Sequence, residues 1–224
     1  AMFVEKAALT FDEALQFFGK KGVVTGNPVR QDFFEIPAKE RGESLHLLIF
    51  GGSQGARAIN NAMSEALPQL ADLAGRLTIT HQTGEHDFET VRTSYAGSEF
   101  ANADIRPFIS DMFVEFGKAD MIICRAGATT CAEVAAAGRA AIMVPFPGAA
   151  DDHQRKNAEA LEKAGAARMI LQADLTPDML AASLRELIAE PWLITEMETA
   201  AKAMGRPNAA AATVDLIEEL KSNV

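Results

Sequence analysis

Short runs of apolar residues alternate along the chain with longer segments in which apolar positions recur every three or four residues. The short runs predict β-strands and the longer segments predict helices. Strands are predicted at Ala7–Phe11, Val23–Thr25, Leu45–Phe50, Leu77–His81, Ala103–Pro107, Met121–Cys124, Ala140–Val144 and Arg168–Leu171. Because strands separated by helices form βαβ units, we expect an α/β fold, a Rossmann-like parallel sheet with helices on both faces.

The predicted helices lie between these strands and after the last of them. They cover Asp12–Phe18, Ala56–Ala66, Asp87–Tyr95, Ser110–Lys118, Thr130–Ala137, Gln154–Ala164, Pro177–Ala189, Leu193–Met204 and Ala209–Lys221. No strand is predicted after Leu171, so three helices should end the chain. The last of them carries an apolar stripe opposite its charged side chains, which is typical of a helix that packs on one face.

The residues before Leu45 have a different character from the rest. Gly26-Asn27-Pro28 is a strong turn signal, and a polar stretch occupies residues 35–44. This composition is typical of a connection between domains. We therefore expect residues 1–25 to be the remnant of a preceding domain and residues 26–44 to be a linker.

A glycine-rich segment, Gly51-Gly52-Ser53-Gln54-Gly55, stands between a predicted strand and a predicted helix. This order aims backbone N–H groups and a helix N-terminus at one point, which favours an anion such as a nucleotide phosphate. The segment lacks the glycine spacing of the dinucleotide fingerprint and the Gly-Lys-Ser/Thr of the Walker loop. We predict a phosphate-binding loop outside both classes; a tight structural turn is the alternative.

Charge and composition restrict the ligand further. The 224-residue chain has a formal net charge of −10, which argues against nucleic acid, since nucleic-acid backbones are bound by clustered Lys and Arg. Any phosphate should therefore be held by backbone dipoles and one or two arginines. No apolar run approaches the roughly 18–20 residues of a membrane-spanning helix. Cys124 and Cys131 are interpreted as buried, reduced thiols.

Ligands of open α/β sheets bind at the carboxyl ends of the strands, so the loops there should carry the chemistry. Five segments stand at such loops or ahead of the main strands: Gly26-Asn27-Pro28-Val29-Arg30, Gly51-Gly52-Ser53-Gln54-Gly55-Ala56, His81-Gln82-Thr83-Gly84, Arg125-Ala126-Gly127-Ala128-Thr129-Thr130 with Glu133, and Val144-Pro145-Phe146-Pro147 through Asp151-Asp152-His153-Gln154 with Asn157-Ala158. As a set, they resemble the MurG family, glycosyltransferases that add N-acetylglucosamine to the lipid-linked muramyl-pentapeptide precursor of peptidoglycan. The resemblance runs from about Phe3 to the end of the chain and covers the C-terminal, donor-binding half of a GT-B glycosyltransferase.

This resemblance implies a site for UDP-N-acetylglucosamine. The loop around Ser53 would hold the pyrophosphate, and Arg30 would pair with phosphate. The backbone of Ile109 would read the uracil edge, Glu133 would accept hydrogen bonds from the ribose, and the amide of Gln154 would read sugar hydroxyls. The implied substrate-binding residues are Arg30, Gly52, Ser53, Gln54, Gly55, Ile109, Ala128, Thr129, Thr130, Glu133 and Gln154.

Some of these residues also have purely structural interpretations. Thr130 and Glu133 have the spacing of a capping box, with Thr at the N-cap and Glu at N3. Arg30 would be an ordinary solvated side chain if it stood alone. The run Asp151-Asp152-His153 invites a metal-site interpretation, but three adjacent residues on a regular element do not face one ion, so we predict no metal and no cofactor. His81 is expected to be a polar residue behind the cleft.

The resemblance also implies a mechanism and an organisation. UDP would be held between helix N-termini, which stabilise charge on the β-phosphate while an acceptor hydroxyl displaces UDP with inversion. Residues 45–204 would form the donor-nucleotide domain, and residues 205–224 would cross back towards the N-terminal domain. We expect the catalytic base and the acceptor site to lie in an N-terminal half that this chain lacks, so we expect the fragment alone to be inactive.

The full-length enzyme would act in cell wall biogenesis. By resemblance it would be cytoplasmic and peripheral on the inner face of the plasma membrane, where its lipid-linked acceptor is found. Two alternatives remain from the sequence. One is a non-catalytic UDP-sugar-binding subunit that needs a separate partner, and the other is a UDP-sugar 2-epimerase, which shares the two-domain fold.

Overall fold

The computed structural model describes residues 4–222, and within this range the strands form two parallel sheets. The first sheet pairs β1 with β2, and the second contains the remaining strands. Their bounds are β1 Ala7–Leu9, β2 Gly22–Val24, β3 Leu45–Phe50, β4 Leu77–Gln82, β5 Asp104–Arg106, β6 Met121–Cys124, β7 Ala140–Met143 and β8 Ala167–Met169. Each predicted strand is confirmed to within two residues at either end.

The helices follow the predicted order with one addition. Their bounds are α1 Leu15–Phe18, α2 Asp32–Glu35, α3 Arg57–Ala66, α4 Phe88–Ala96, α5 Met112–Lys118, α6 Ala128–Ala137, α7 His153–Lys163, α8 Pro177–Ala189, α9 Pro191–Met204 and α10 Ala209–Ser222. The addition is α2, which has no apolar period of its own and is held by the burial of Phe33. The predicted helix Asp12–Phe18 is wrong in part, because a 3-10 turn at Asp12–Ala14 precedes the single α-helical turn of α1.

The order of strands in the larger sheet is β5-β4-β3-β6-β7-β8, and every pairing is parallel. Counted from β3, this is the 3-2-1-4-5-6 order of a Rossmann fold. The direction of winding reverses between β3 and β6, where Phe50 pairs with Cys124. A crevice therefore opens at the carboxyl ends of these two strands, which is where the glycine-rich segment and the segment from Arg125 to Thr130 begin.

Alternate residues of the central strand face opposite sides of the sheet. Leu47 and Ile49 pack in a core with α3, α4, α8 and part of α9. Leu48 and Phe50 pack in a second core with α2, α5, α6 and α7. Helices therefore cover both faces of the sheet, as predicted, and the side chains on both faces are buried.

The segment 26–44 packs closely on the larger sheet's second core. Phe33 is 1% exposed, and its ring meets that of Phe116 at 5.2 Å between centroids. Arg41 pairs with Glu198 of α9. The linker assignment for this segment stays a prediction, but its contacts are those of an ordered part of the structure.

The start of α10 lies against the N-terminal sheet. A Cβ added to Gly26, the second residue after β2, would stand 2.7 Å from Cβ of Arg206, and the Arg206 guanidinium lies 3.8 Å from Asp12. The assignment of residues 205–224 as a crossing helix stays a prediction. None of the helices in residues 4–222 is both long and apolar enough to cross a membrane.

Candidate functional site

A cleft of ≈ 510 Å³ opens at the carboxyl ends of the strands, over the crevice between β3 and β6. Its lining consists of Gly51, Gly52, Gly55, Ala56, Arg57, Ala58, Arg125, Gly127, Thr130, Phe146, Gln154 and Gln172. Of the residues predicted from the sequence, Gly52, Gly55, Thr130 and Gln154 are in this lining. Loops after four different strands meet here, as expected for a Rossmann switch point.

The glycine-rich loop has a conformation that depends on its glycines. Gly52 and Gly55 have φ of +90° and +74°, a region that side-chain-bearing residues rarely adopt. The N–H of Gly55 donates to the carbonyl of Gly52 at 2.9 Å and closes the turn. Ser53 and Gln54 are exposed on its rim. Because glycines have no side chains, the backbone of the loop is accessible to a ligand in the cleft.

Two helices begin at this cleft without a side-chain cap. The N-cap residue is Ala56 for α3 and Gly127 for α6, and neither has a side chain that could cap the first turn of its helix. Their first-turn N–H groups are thus available to a ligand, at the positive ends of the two helix dipoles. This arrangement favours a phosphate or diphosphate between the helices.

The capping-box interpretation of Thr130 and Glu133 is wrong. Helix α6 starts at Ala128, so Thr130 is its third residue and Glu133 lies in the second turn, too far along to reach the N-cap. Thr130 and Glu133 have the spacing of a capping box, but the N-cap position is occupied by Gly127, whose backbone is extended, with φ −63° and ψ 149°. Ala128, Thr129 and Thr130 form the first turn, and the Glu133 side chain remains available for another role.

The positive charge of Arg30 acts on the carboxyl of Glu133, which lies in the second turn of α6. Burial raises the pKa of the half-buried Glu133 carboxyl, and the positive charge of Arg30 opposes this rise. The Arg30 guanidinium is exposed and stands 5.3 Å from the ring centroid of Phe33. Arg30 is therefore positioned by packing near an acidic residue of the site, although it does not line the cleft itself.

Ile109 lies on the neighbouring loop, after β5, and its side chain is buried. Its N–H donates to Oε1 of Gln82 at 2.8 Å. The residue does not line the cleft. A ligand that used this N–H would have to displace the Gln82 carboxamide, so the predicted role of the Ile109 backbone in base recognition requires either its carbonyl or a movement of Gln82.

Gln154 is the second residue of α7, and its Oε1 accepts a hydrogen bond from the N–H of Phe146 at 3.0 Å. Its Nε2 is the group left to face a ligand. The preceding residues Asp151 and Asp152 both have positive φ, 51° and 55°, so the chain enters α7 through a strained turn. In the part of the chain that the structure describes, no group of three His, Cys, Asp or Glu side chains is arranged to hold a metal.

Arg125 is a cleft residue that the sequence-based assignment omitted. Its half-buried guanidinium donates to the carbonyls of Val144 at 3.0 Å and Pro145 at 3.3 Å, and to Oε1 of Gln172 at 2.7 Å. Burial lowers its pKa, yet an arginine stays charged at neutral pH. Arg125 belongs to a segment already singled out, and Gln172 follows β8 at the same sheet edge, so the strand-end rule could have found both.

Behind the glycine loop, His81 is fully buried between α3 and α4. Its Nδ1 lies 3.1 Å from the Tyr95 hydroxyl and its Nε2 lies 3.0 Å from Oδ1 of Asn60. The Asn60 amide donates to the Thr83 carbonyl and to Asp87, so its Oδ1 accepts from Nε2–H of His81. Burial lowers the pKa of His81 to about 3 and keeps the ring neutral. His81 is therefore a neutral, hydrogen-bonded residue behind the cleft, and its supporting role in the site stays a prediction.

Comparison with known proteins gives matches over most of the chain. The profile of the family described as "Glycosyltransferase family 28 C-terminal domain" matches residues 46–213. The UDP-N-acetylglucosamine–N-acetylmuramyl-(pentapeptide) pyrophosphoryl-undecaprenol N-acetylglucosamine transferase of Geotalea uraniireducens is 48% identical over 221 residues, which cover 96% of this chain and 60% of that protein. This chain therefore spans about three fifths of the length of that curated relative.

Solved structures give the same picture of the fold. The crystal structure of Acinetobacter baumannii MurG is similar with a TM-score of 0.72 and 42% identity, over 84% of this chain and 52% of that one. A putative UDP-N-acetylglucosamine 2-epimerase from Listeria monocytogenes is similar with a TM-score of 0.68 at 15% identity, over 100% of this chain and 62% of that one. At so low an identity, the likeness to the epimerase shows the fold alone.

Proposed function

Because the chain belongs to the glycosyltransferase family 28 C-terminal domain family, we propose that it is the donor-binding half of a peptidoglycan glycosyltransferase. The whole enzyme would move N-acetylglucosamine from UDP to lipid-linked N-acetylmuramyl-pentapeptide, converting lipid I to lipid II at the inner face of the plasma membrane. The observation that carries the proposal is the pair of uncapped helix N-termini, of α3 and α6, that meet at one cleft beside the glycine loop.

This geometry suits a nucleoside diphosphate that leaves during the reaction. The first-turn N–H groups of α3 and α6 and the backbone of the glycine loop would surround the two phosphates. Charge that develops on the β-phosphate when the bond to the sugar breaks would be stabilised by these fixed dipoles, without a metal. The acceptor and the base that deprotonates its hydroxyl would come from residues outside this chain.

The direct test is binding and transfer by the chain as it stands. We expect UDP and UDP-N-acetylglucosamine to bind in calorimetry, with uridine much weaker because the phosphates would provide most of the charge-assisted contacts. We expect no transfer to a lipid-linked muramyl-pentapeptide acceptor. Robust transfer by this chain alone would contradict the half-enzyme assignment, and absence of any uridine-nucleotide binding would contradict the donor site.

Glu133 should act on the ribose. We expect Glu133→Gln to weaken UDP binding by roughly tenfold, because a carboxylate accepts two ribose hydroxyls more strongly than an amide does. The same substitution should weaken 2′-deoxy-UDP much less, which makes the deoxy ligand the matched control. Equal losses for both nucleotides, measured by calorimetry, would exclude a contact with the 2′-hydroxyl.

The same carboxyl should make nucleotide binding pH-dependent. Burial raises the Glu133 pKa, and the ribose needs the ionised form as acceptor, so affinity should fall as pH drops through that raised pKa. The wild-type protein and Glu133→Gln are compared at each pH, since the phosphates of UDP titrate as well. The ratio of their affinities should approach one at low pH; a constant ratio would show that Glu133 does not titrate in the site.

Gln154 should read the sugar through its Nε2. Gln154→Ala is expected to weaken UDP-N-acetylglucosamine roughly fivefold to tenfold and UDP little, since one neutral hydrogen bond is lost at the sugar. Alanine also releases the N–H of Phe146, so Gln154→Glu, which keeps an acceptor for that N–H, is the control. Both variants should lose selectivity among hexosamine epimers. A fall in UDP affinity as large as that for the UDP-sugar would place Gln154 elsewhere.

The two alternatives from the sequence have less support. The epimerase likeness shows the shared fold and no more. The separate-subunit alternative predicts the same donor binding and differs in where the acceptor half is encoded. Joining the chain to the N-terminal half of a curated relative and regaining transfer would support the transferase assignment for this domain.

A further inference from the structure

The end of β4 contains a buried glutamine that touches two loops of the donor site. Gln82 is 2% exposed and is the last residue of β4. Its Nε2 donates to the carbonyl of Gly52 at 2.9 Å, and its Oε1 accepts from the N–H of Ile109 at 2.8 Å. One carboxamide therefore joins the glycine loop after β3 to the loop after β5.

The backbone around Gln82 supports the same connection. The next two residues bond the end of β5 and the loop that follows it, with Thr83 N–H donating to Arg106 O and Gly84 N–H to Pro107 O, each at 3.0 Å. On the opposite side, a Cβ at Gly84 would stand 2.4 Å from the carbonyl oxygen of Gln54. The end of β4 thus lies between the two loops in backbone contact with both, and Gln82 adds a side-chain link.

The chemistry of this link requires an amide. Gly52 offers a carbonyl, which accepts a second hydrogen bond beside the one from Gly55, and Ile109 offers an N–H, which needs an acceptor. Gln supplies both from one planar group, and the two partners fix which way it points. Met would leave the buried N–H of Ile109 unpaired and the Gly52 carbonyl with only its bond from Gly55, and an ionised Glu would place a carboxylate against that carbonyl.

We propose that Gln82 is a positioning residue of the donor site, which holds the phosphate loop and the Ile109 loop at a fixed separation without touching the ligand. The inference rests on the proposed function, because it matters only for a ligand that spans both loops. Pre-ordering two loops removes an ordering cost from binding, so its loss should weaken a spanning ligand more than one that uses a single loop. A residue that merely satisfied two backbone groups would affect stability and leave affinity unchanged.

The test uses Gln82→Met, with Tyr95→Phe as the matched control. Tyr95→Phe also removes a buried hydrogen bond behind the site, to His81, but touches neither loop. We expect Gln82→Met to speed amide hydrogen exchange at Ile109 and to weaken UDP roughly tenfold, with a smaller loss for uridine measured by NMR titration. Tyr95→Phe should lower the free energy of unfolding without changing either affinity.

Gln82→Glu provides a second, chemical readout. A protonated Glu has one donor and one acceptor and so restores the link, whereas the ionised form does not. UDP affinity of Gln82→Glu relative to wild type should therefore recover as pH is lowered, while that of Gln82→Met should show no such recovery. This recovery is not expected of a residue with a generic packing role.

The possible results separate the inference from the function on which it rests. Wild-type protein that binds UDP and a Gln82→Met variant that binds it equally would overturn the inference alone. Equal weakening by Gln82→Met and Tyr95→Phe would also overturn it, since stability would then explain the loss. Failure of the wild-type protein to bind UDP would overturn the proposed function and this inference with it. Selective loss at Gln82, restored by protonated Glu, would establish it.

Discussion

Gly55→Ala should be the most damaging single-methyl substitution in the site, lowering the free energy of unfolding by roughly 3–5 kcal/mol. A Cβ at this position would stand 1.9 Å from the carbonyl oxygen of Thr83 and 2.6 Å from its carbon. Both are backbone atoms at the end of β4, so no side-chain rotation relieves the contact. The positive φ of 74° adds left-handed strain to the steric clash.

The chain offers two matched controls for this substitution. Gly52 also has a positive φ, 90°, but a Cβ there would meet no atom within 4 Å. Gly52→Ala should therefore lower the free energy of unfolding by roughly 1–2 kcal/mol, from backbone strain alone. A Cβ at Gly75 would meet open space, and its φ is not positive. The free energy of unfolding of Gly75→Ala should therefore stay within about 0.5 kcal/mol of the wild-type value. Urea unfolding of the three variants checks the order. Equal losses for Gly55→Ala and Gly52→Ala would show that the close approach to Thr83 relaxes easily.

The same substitution should remove most UDP binding. Relief of the clash has to move the glycine loop away from the end of β4, which also moves the first turn of α3. Losing one or two charge-assisted hydrogen bonds to phosphate would weaken UDP by on the order of a hundredfold. Calorimetry measures the affinity for UDP, at a temperature where the variant is still folded. An unchanged affinity would mean that the loop does not hold the phosphates.

Acidification should destabilise the protein through His81, the second large effect that we expect. In the native state burial keeps this ring neutral down to a pKa of about 3, whereas the unfolded chain protonates it near the ordinary value of 6.5. Between these values the unfolded state binds more protons, so stability falls as pH falls. At about 1.4 kcal/mol per pH unit, the loss at pH 4.5 should be roughly 2–3 kcal/mol relative to neutral pH.

The variant His81→Gln isolates this contribution from the other titrating groups. Glutamine keeps hydrogen-bonding capacity towards Asn60 and Tyr95 but has no proton to gain. The variant should be less stable than wild type at pH 7, because glutamine fits the space of the imidazole less well. The difference between their free energies of unfolding should narrow by roughly 2 kcal/mol when the pH is lowered to 4.5. Stability curves for the two proteins that stay parallel across this range would show that His81 is not the acid-sensitive group.

The predicted positions of strands and helices needed little correction because each has a local cause. The strands are continuous apolar runs bounded by turn residues, as buried parallel strands require. The α6 helix shows where local reasoning failed. Thr130 and Glu133 satisfy a capping pattern, yet the helix starts at Ala128 because Gly127 adopts an extended conformation and the chain continues as helix at once.

The candidate site was predicted in outline but not in its contacts. Gly52, Gly55, Thr130 and Gln154 line the cleft as expected, whereas Ile109 lies behind it with its N–H occupied. Whether Arg30, Ser53, Gln54 and the other proposed residues contact a nucleotide stays a prediction for the binding experiments above.

The sequence by itself determined the alternation of strands and helices, the loops that carry the chemistry and the family that the chain resembles. These features depend on neighbours within a few positions and on glycines whose backbone conformation or close contacts disfavour other residues. Tertiary structure alone decided the partners of Gln82, which lie 30 and 27 positions away, the burial of His81 and the burial of Phe33 in α2. The physical reason is that a hydrogen bond or a desolvation energy depends on which distant residues the fold brings together, and a periodic pattern contains no record of those distances.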